Sequence, residues 1–241
     1  MLQNRINILC TRNIDNVLIQ DGLSKNIAID VISFIKTEPA LTSEVLREVQ
    51  EASGNCDAVA FTSSSAVEAI AAGLDLQKAT IVGRKIFCIG HVTKESVVKH
   101  FGERLIGGFA DNAKELAQAI ISANVKGVIF FCGNQRRDEL PMLLKKNKID
   151  VKEIVVYETI AIPRKIEKKY DGILFFSPSA VKSFFQQNKS ENEVILFAIG
   201  DTTANEIKNF SKNKIVVSDV PDKKTLLDKV FSYFQLNPIH H

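Results

Sequence analysis

No apolar run in this 241-residue chain approaches the about 18 residues of a membrane-spanning helix, and the opening MLQNRINILC has no signal-peptide core. A cytoplasmic protein that touches no membrane is expected. Cysteine is sparse, and no two cysteines have CxxC spacing. Cys10, Cys88 and Cys132 fall in strand patterns, so these and Cys56 read as buried free thiols, not disulfides or metal ligands. GxGxxG and GxxxxGK are absent, which removes the main support for a dinucleotide or P-loop nucleotide site. HExxH is absent too. Of the four histidines only His91 and His100 lie inside the patterned chain; His240–His241 sit in a tail given no function. No carboxylate pair stands out for acid–base work. The lysine pairs Lys145-Lys146, Lys168-Lys169 and Lys223-Lys224 have no interleaved aromatics and read as solvated surface, with no nucleic-acid partner. Net charge is +3, but residues 36–160 carry 16 basic and 16 acidic side chains. The mild excess at the two ends suits an anionic ligand without requiring one.

What the chain does contain is a long internal repeat. Phe61-Thr62-Ser63-Ser64-Ser65-Ala66-Val67 returns as Phe175-Phe176-Ser177-Pro178-Ser179-Ala180-Val181, each after an aspartate and an apolar run, DAVAF or DGILF. Ile89-Gly90-His91-Val92-Thr93 returns as Ile199-Gly200-Asp201-Thr202-Thr203, and Lys114, Leu116 and Ile120 match Lys224, Leu226 and Val230. The period is too long for a solenoid unit, so two similar domains are expected. The first copy continues through strand, helix and strand (GVIFF to VKEIVVYETI), whereas the second stops. Its missing strands are found at the chain start, where Cys10 matches Cys132 and Ile29-Asp30-Val31 matches Ile149-Asp150-Val151. The expected fold is therefore α/β: two similar domains, each a parallel sheet flanked by helices, joined by a two-stranded crossover with a cleft between them. Domain 1 takes 1–34 plus 163–241, domain 2 takes 37–160, and the crossover strands fall near 28–36 and 153–162.

Elements follow from periodicity. Strands are expected at 6–10, 57–61, 85–89, 104–106, 127–131, 171–176, 194–198 and 214–217. Helices are expected near 14–24, 41–52, from 92, and at 111–122, 136–146, 178–188, 202–210 and 222–234.

The candidate binding groups lie at strand-to-helix turns, which present free backbone N–H groups and the positive end of a helix dipole, a setting suited to carboxylate or phosphate. Ser63 and Ser64 form one such turn, and Ser177 and Ser179 the other, with Pro178 opening the helix. Helix capping competes for these hydroxyls, and Ser65 and Glu68 have capping-box spacing. Gly90 and Gly200 allow close approach of backbone or ligand. Thr93, Thr202 and Thr203 follow them at helix starts, where capping again competes. Arg12 stands at the carboxyl end of the first strand, where open α/β sheets bind ligands, although a solvent-facing arginine fits as well. Arg136 and Arg137 oppose the dipole of their helix, and a salt bridge to Asp138 or Glu139 is the plainer account. Tyr157 sits where the chain returns towards the first domain.

Taken together, ILCTR, DAVAFTSSSAVEAI, IFCIGHVTKESV, RRDELPMLLKKNKIDVKEIVVYETI, DGILFFSPSAVKSFF and FAIGDTTANEI resemble the signature segments of the uroporphyrinogen-III synthase family. The resemblance spans nearly the whole chain and rests on order and spacing. Ser64 stands where proline is common, and Val92 where a small or hydroxyl residue is frequent. The resemblance implies a cyclising hydro-lyase of haem biosynthesis. Its substrate would be hydroxymethylbilane, a linear tetrapyrrole with eight carboxylates, closed to uroporphyrinogen III with inversion of ring D through a spiro intermediate. It implies no metal or organic cofactor, and a monomer is expected. Carried over by motif, Ser63, Thr93, Tyr157, Ser177, Thr202 and Thr203 would line the substrate cleft, with Tyr157 on the family's functionally important tyrosine; on chemical grounds its hydroxyl is expected to assist the leaving group as a general acid or hydrogen-bond donor. Two other readings stay open on the residues alone. One is a non-catalytic two-domain hinge protein that binds an anionic small molecule. The other, a receiver-type pair, would need an acidic pocket at the strand ends, but Asp57 and Asp171 lie at strand starts.

Overall fold

A computed structural model describes residues 5–73, 83–191 and 193–237; the terminal His240–His241 lies outside them. Along the chain, β1 (Ile6–Cys10), α1 (Asn16–Ser24) and β2 (Ile27–Val31) come first, followed by β3 (Ile35–Pro39) and α2 (Ser43–Ser53). Next come β4 (Ala58–Phe61), α3 (Ser64–Gly73), β5 (Lys85–Ile89), α4 (His91–Phe101), β6 (Ile106–Ala110) and α5 (Ala113–Ser122). Then follow β7 (Gly127–Gly133), α6 (Glu139–Lys146) and β8 (Asp150–Ala161). The chain closes with β9 (Gly172–Phe175), α7 (Pro178–Phe185), β10 (Ile195–Ala198), α8 (Asp201–Lys208), β11 (Ile215–Val217) and α9 (Lys223–Leu236).

The chain divides into two compact units, one of residues 1–36 and 160–241, the other of 37–159. In the first, the strand order is β11-β10-β9-β1-β2; in the second, β8-β7-β4-β5-β6, with β3 added beside β8. The core strands pair in parallel. Relabelled from β9 and from β4, both sheets have the doubly wound order 3-2-1-4-5. Unit 1 is thus a circularly permuted copy of unit 2, and β1 occupies the place of β7, which sets Cys10 opposite Cys132 in the repeat.

The repeated aspartates show why the copies align. Asp57 accepts the Lys126 N–H at 2.9 Å, just before β7, and its own N–H donates to Gly127 O at 2.9 Å. Asp171 accepts the Asn7 N–H at 2.7 Å and donates to Asn7 O at 2.8 Å. Each pair pins the amino ends of the two central strands in register.

Helices cover both faces of each sheet, so the central strands are apolar without alternation. Along β4, Val59 and Phe61 join a core with α2, α3 and α4, while Ala58 and Ala60 face α5 and α6. In unit 1, Leu9 and Phe175 pack towards α7 and α8, and Ile8 and Leu174 towards α1 and α9. Side-chain caps start several helices: Thr42 for α2, Asn112 for α5 and Asp222 for α9.

Four expectations need correction. The stretch 28–36 is not one strand: β2 ends at Val31 inside the first sheet and β3 begins at Ile35. The edge strand expected at 104–106 begins at Ile106, because Glu103–Leu105 form a 3-10 turn. The helix expected from 136 starts at Glu139, since the Arg136 N–H turns back to Gly133 O at 3.2 Å. Ser65 does not cap α3, because it already lies within the helix.

Two surface ion clusters set an acid limit on stability. Asp30 accepts from Lys168 Nζ at 2.7 Å and from the Tyr170 hydroxyl at 2.8 Å, and the Lys168 bond holds its carboxyl below the usual range. For Glu153, burial pushes upward, but hydrogen bonds from Lys145 at 2.8 Å and Arg136 at 2.5 Å outweigh it and leave the carboxyl depressed. A carboxyl depressed in the folded state stabilises above its unfolded pKa of about 4. That contribution is lost as pH falls through the folded value. The melting temperature should therefore fall as pH drops below about 4, and Asp30→Asn should flatten that dependence; an unchanged slope in the variant contradicts the assignment.

Candidate active site

In open α/β sheets, ligands bind beyond the carboxyl ends of the strands, at the point where strand order reverses. In unit 2 that point lies between β4 and β7, so the segments around it are Thr62–Ser64 and Gly133–Asn134. In unit 1 it lies between β9 and β1, flanked by Ser177–Ser179 and Thr11–Arg12. The sequence thus delivers Ser63, Ser64, Thr93 and Tyr157 to the carboxyl edge of the second sheet. Arg12, Ser177, Ser179, Thr202 and Thr203 come to the carboxyl edge of the first.

The two serine turns spend part of their hydroxyl capacity on their own helices. Ser63 Oγ accepts the Ser65 N–H at 3.1 Å, and Ser63 O receives the first α3 bond, from Ala66 at 3.2 Å. Ser177 caps α7, accepting the Ala180 N–H at 3.2 Å, and its Oγ lies 3.1 Å from Ser179 Oγ. Ser64 and Ser179 are half-buried on the first turns.

The glycine turns differ. Gly90 and Gly200 stand at the N-caps of α4 and α8, where a glycine has no side chain with which to cap the helix. A Cβ added at either glycine meets nothing within 4 Å, so both face open space and neither is required by close packing within the chain. Gly90 has φ 83°, a left-handed conformation that favours glycine, whereas Gly200 is extended at φ 177°. Thr93 and Thr203, each third in its helix, are 5% and 3% exposed, so only their edges reach solvent. Thr202 is exposed beside Thr203. None of the three is an N-cap residue; the N-cap positions are the two glycines.

Tyr157 stands on β8 opposite Gly133, just past a register shift between Cys132 and Gly133. Its ring packs against the unit 2 core. Arg12 is exposed at the end of β1. Arg136 is held mainly by Glu153, with Asp138 farther off at 3.7 Å, so the expected helix-local bridge is secondary. Residues that the sequence reading did not single out include Asn134, which is bonded to β8, and Lys94, whose Nζ lies 5.3 Å from the centre of the Phe109 ring next to His91. A lysine in the first turn of a helix, where it opposes the dipole, was the available signal for Lys94. All four cysteines are free and buried, and burial pushes the Cys10 and Cys132 thiols up to about 11, which removes them as nucleophiles at neutral pH.

Residues 24–228 match the family model described as uroporphyrinogen-III synthase HemD. This chain belongs to the uroporphyrinogen-III synthase family. A relative of that name from Saccharomyces cerevisiae is 27% identical over 184 residues, covering 65% of this chain and 67% of the yeast protein. The fold is shared with the synthase from Helicobacter pylori, at TM-score 0.69 and 16% identity, with 95% of this chain and 99% of that one covered. It is also shared with a mutant synthase from Thermus thermophilus, at TM-score 0.65 and 14% identity over 95% and 98% of the two chains. Uroporphyrinogen-III synthases are cyclising hydro-lyases of haem biosynthesis that act on a small-molecule tetrapyrrole. No helix among the described residues is long and apolar enough to cross a membrane.

Proposed function

We propose that this synthase recognises hydroxymethylbilane chiefly through the helix starts at Gly90 and Gly200, with Thr93, Thr202 and Thr203 beside them. The supporting observation is that α4 and α8 both begin at strand ends with a glycine N-cap that faces open space. The positive end of a helix dipole and the N–H groups around a helix start stabilise a carboxylate without a matching cation for each. That economy fits a substrate with eight carboxylates and a chain of net charge only +3. Ser63, Ser64, Ser177, Ser179 and Arg12 add donors at the neighbouring strand ends.

Chemically, the hydroxymethyl group of the bilane departs as water and leaves an electrophilic azafulvene. The substituted carbon of ring D attacks it to give a spiro intermediate, which fragments and recloses with ring D inverted. The electrons come from the pyrroles, so the protein acts by holding the chain in the reactive conformation and by stabilising developing charge. Tyr157 donates its hydroxyl proton or hydrogen bond to the departing oxygen. The protein works as a monomer in the cytoplasm, without a nucleic-acid partner. A non-catalytic binder would use the same turns, but the family membership does not favour it.

Thr93→Val and Thr203→Val test the recognition surface. Each removes one hydroxyl at constant shape, and a hydrogen bond to a charged group is worth about 1.5–3 kcal/mol. Each variant should raise KM roughly tenfold with melting temperature nearly unchanged. Wild-type KM in both would remove these hydroxyls from the substrate surface.

A further inference from the structure

Tyr157 is held by a contact that only glycine permits. A Cβ built on Gly133 would lie 2.5 Å from Tyr157 Cζ, 2.7 Å from Cε2 and 2.8 Å from the hydroxyl oxygen. The phenol therefore occupies the space that a side chain on the last residue of β7 would take, at the strand end where the sheet order reverses. Around this contact the turn is stitched to β8. The Asn134 N–H donates to Tyr157 O at 3.2 Å, the Thr159 N–H donates to Asn134 Oδ1 at 2.9 Å, and Gln135 Nε2 donates to Thr159 O at 3.1 Å. These bonds bridge the register shift between Cys132 and Gly133, where the regular parallel ladder ends. Asn134 and Gln135 are exposed, so neither is there to fill the core. Their bonds fix the backbone on both sides of Tyr157, and the missing side chain of Gly133 leaves room for its ring.

We infer that Gly133 and Asn134 are positioning residues for Tyr157: the missing side chain of the first admits the phenol, and the amide oxygen of the second latches the turn that holds it. This rests on the role given to Tyr157 above. A methyl group at position 133 cannot coexist with the ring where it stands, and the ring must move by roughly 1 Å, a displacement that costs up to about 10²-fold when the group takes part in a reaction.

The test is a double-mutant cycle on the intact protein with hydroxymethylbilane, reading kcat and KM separately. Gly133→Ala should lower kcat roughly ten- to hundredfold with KM within about twofold. In a Tyr157→Ala background the same change should have no further effect on kcat, because nothing is left to displace. An equal loss in both backgrounds overturns the inference, since Gly133 would then act without Tyr157. The Tyr157→Ala arm reports separately on the underlying reading: wild-type kcat there removes the role of Tyr157 itself. The latch has its own arm, which stands even if Tyr157→Ala folds poorly. Asn134→Ala should lower kcat, whereas Asn134→Asp, which keeps the acceptor for the Thr159 N–H, should restore it and place any charge effect in KM. Equal kcat in the two Asn134 variants overturns the latch.

Discussion

Gly200→Asp should give a protein at least as stable as the wild type that has lost most of its synthase activity. Gly200 is extended, at φ 177° and ψ 174°, a conformation open to any residue, and a Cβ there meets nothing within 4 Å. An aspartate at this N-cap would accept from the first N–H groups of α8 and complement its dipole. Together these are worth roughly 0.5–1 kcal/mol. In a chain of this size the melting temperature should rise by about 1–4 °C. The same carboxylate would occupy the place assigned to a substrate carboxylate, and like charges so placed cost several kcal/mol. The expected fall in kcat/KM is therefore about 10²- to 10³-fold. Gly200→Asn separates the two causes, because it caps without charge and should lose only about tenfold. Gly90 offers no such clean comparison, since its φ of 83° would strain any side chain. If Gly200→Asp keeps kcat/KM within twofold of wild type, the start of α8 does not bind the substrate.

Tyr157→Phe should lower kcat by about 10²-fold while leaving KM within a few-fold, the usual scale for loss of one proton donor acting in the transition state. Phenylalanine keeps the ring that packs against the unit 2 core and rests on Gly133, so melting should change little. Slower enzymatic closure would let unassisted closure compete, and the type I isomer should grow at limiting enzyme. Full kcat in a normally folded Tyr157→Phe protein would end the proton-donor role and leave positioning as the only contribution of this side chain.

The architecture was legible because its physical causes are local. The runs AVAF and GILF are apolar at every position, as strands covered on both faces must be, and the aspartate before each both donates to and accepts from the backbone at the amino end of a neighbouring strand. The match of Cys10 with Cys132 foretold that β1 would take the place of β7. The Ser177–Pro178 helix start was legible for the same reason, since an N-cap is written in adjacent residues. What the sequence hid depends on partners far along the chain. Arg136 pairs with Glu153 across β7 and β8, not with the nearer acids of its own helix. The contact between Gly133 and Tyr157 depends on a shift of register that no pattern announces. The serines drew attention as a repeat, yet Ser63 and Ser177 serve their own helices, whereas α4 and α8 begin at glycines that have no side chain to cap with.

Isomer analysis separates ring-inverting closure by this protein from unassisted closure of the bilane. Hydroxymethylbilane is incubated with and without the purified protein, the products are oxidised, and the type I and type III porphyrins are separated. Mainly type III is expected with the protein and type I without it. Type I alone from a folded sample would contradict ring inversion by this chain and leave a protein that binds the bilane without directing its closure.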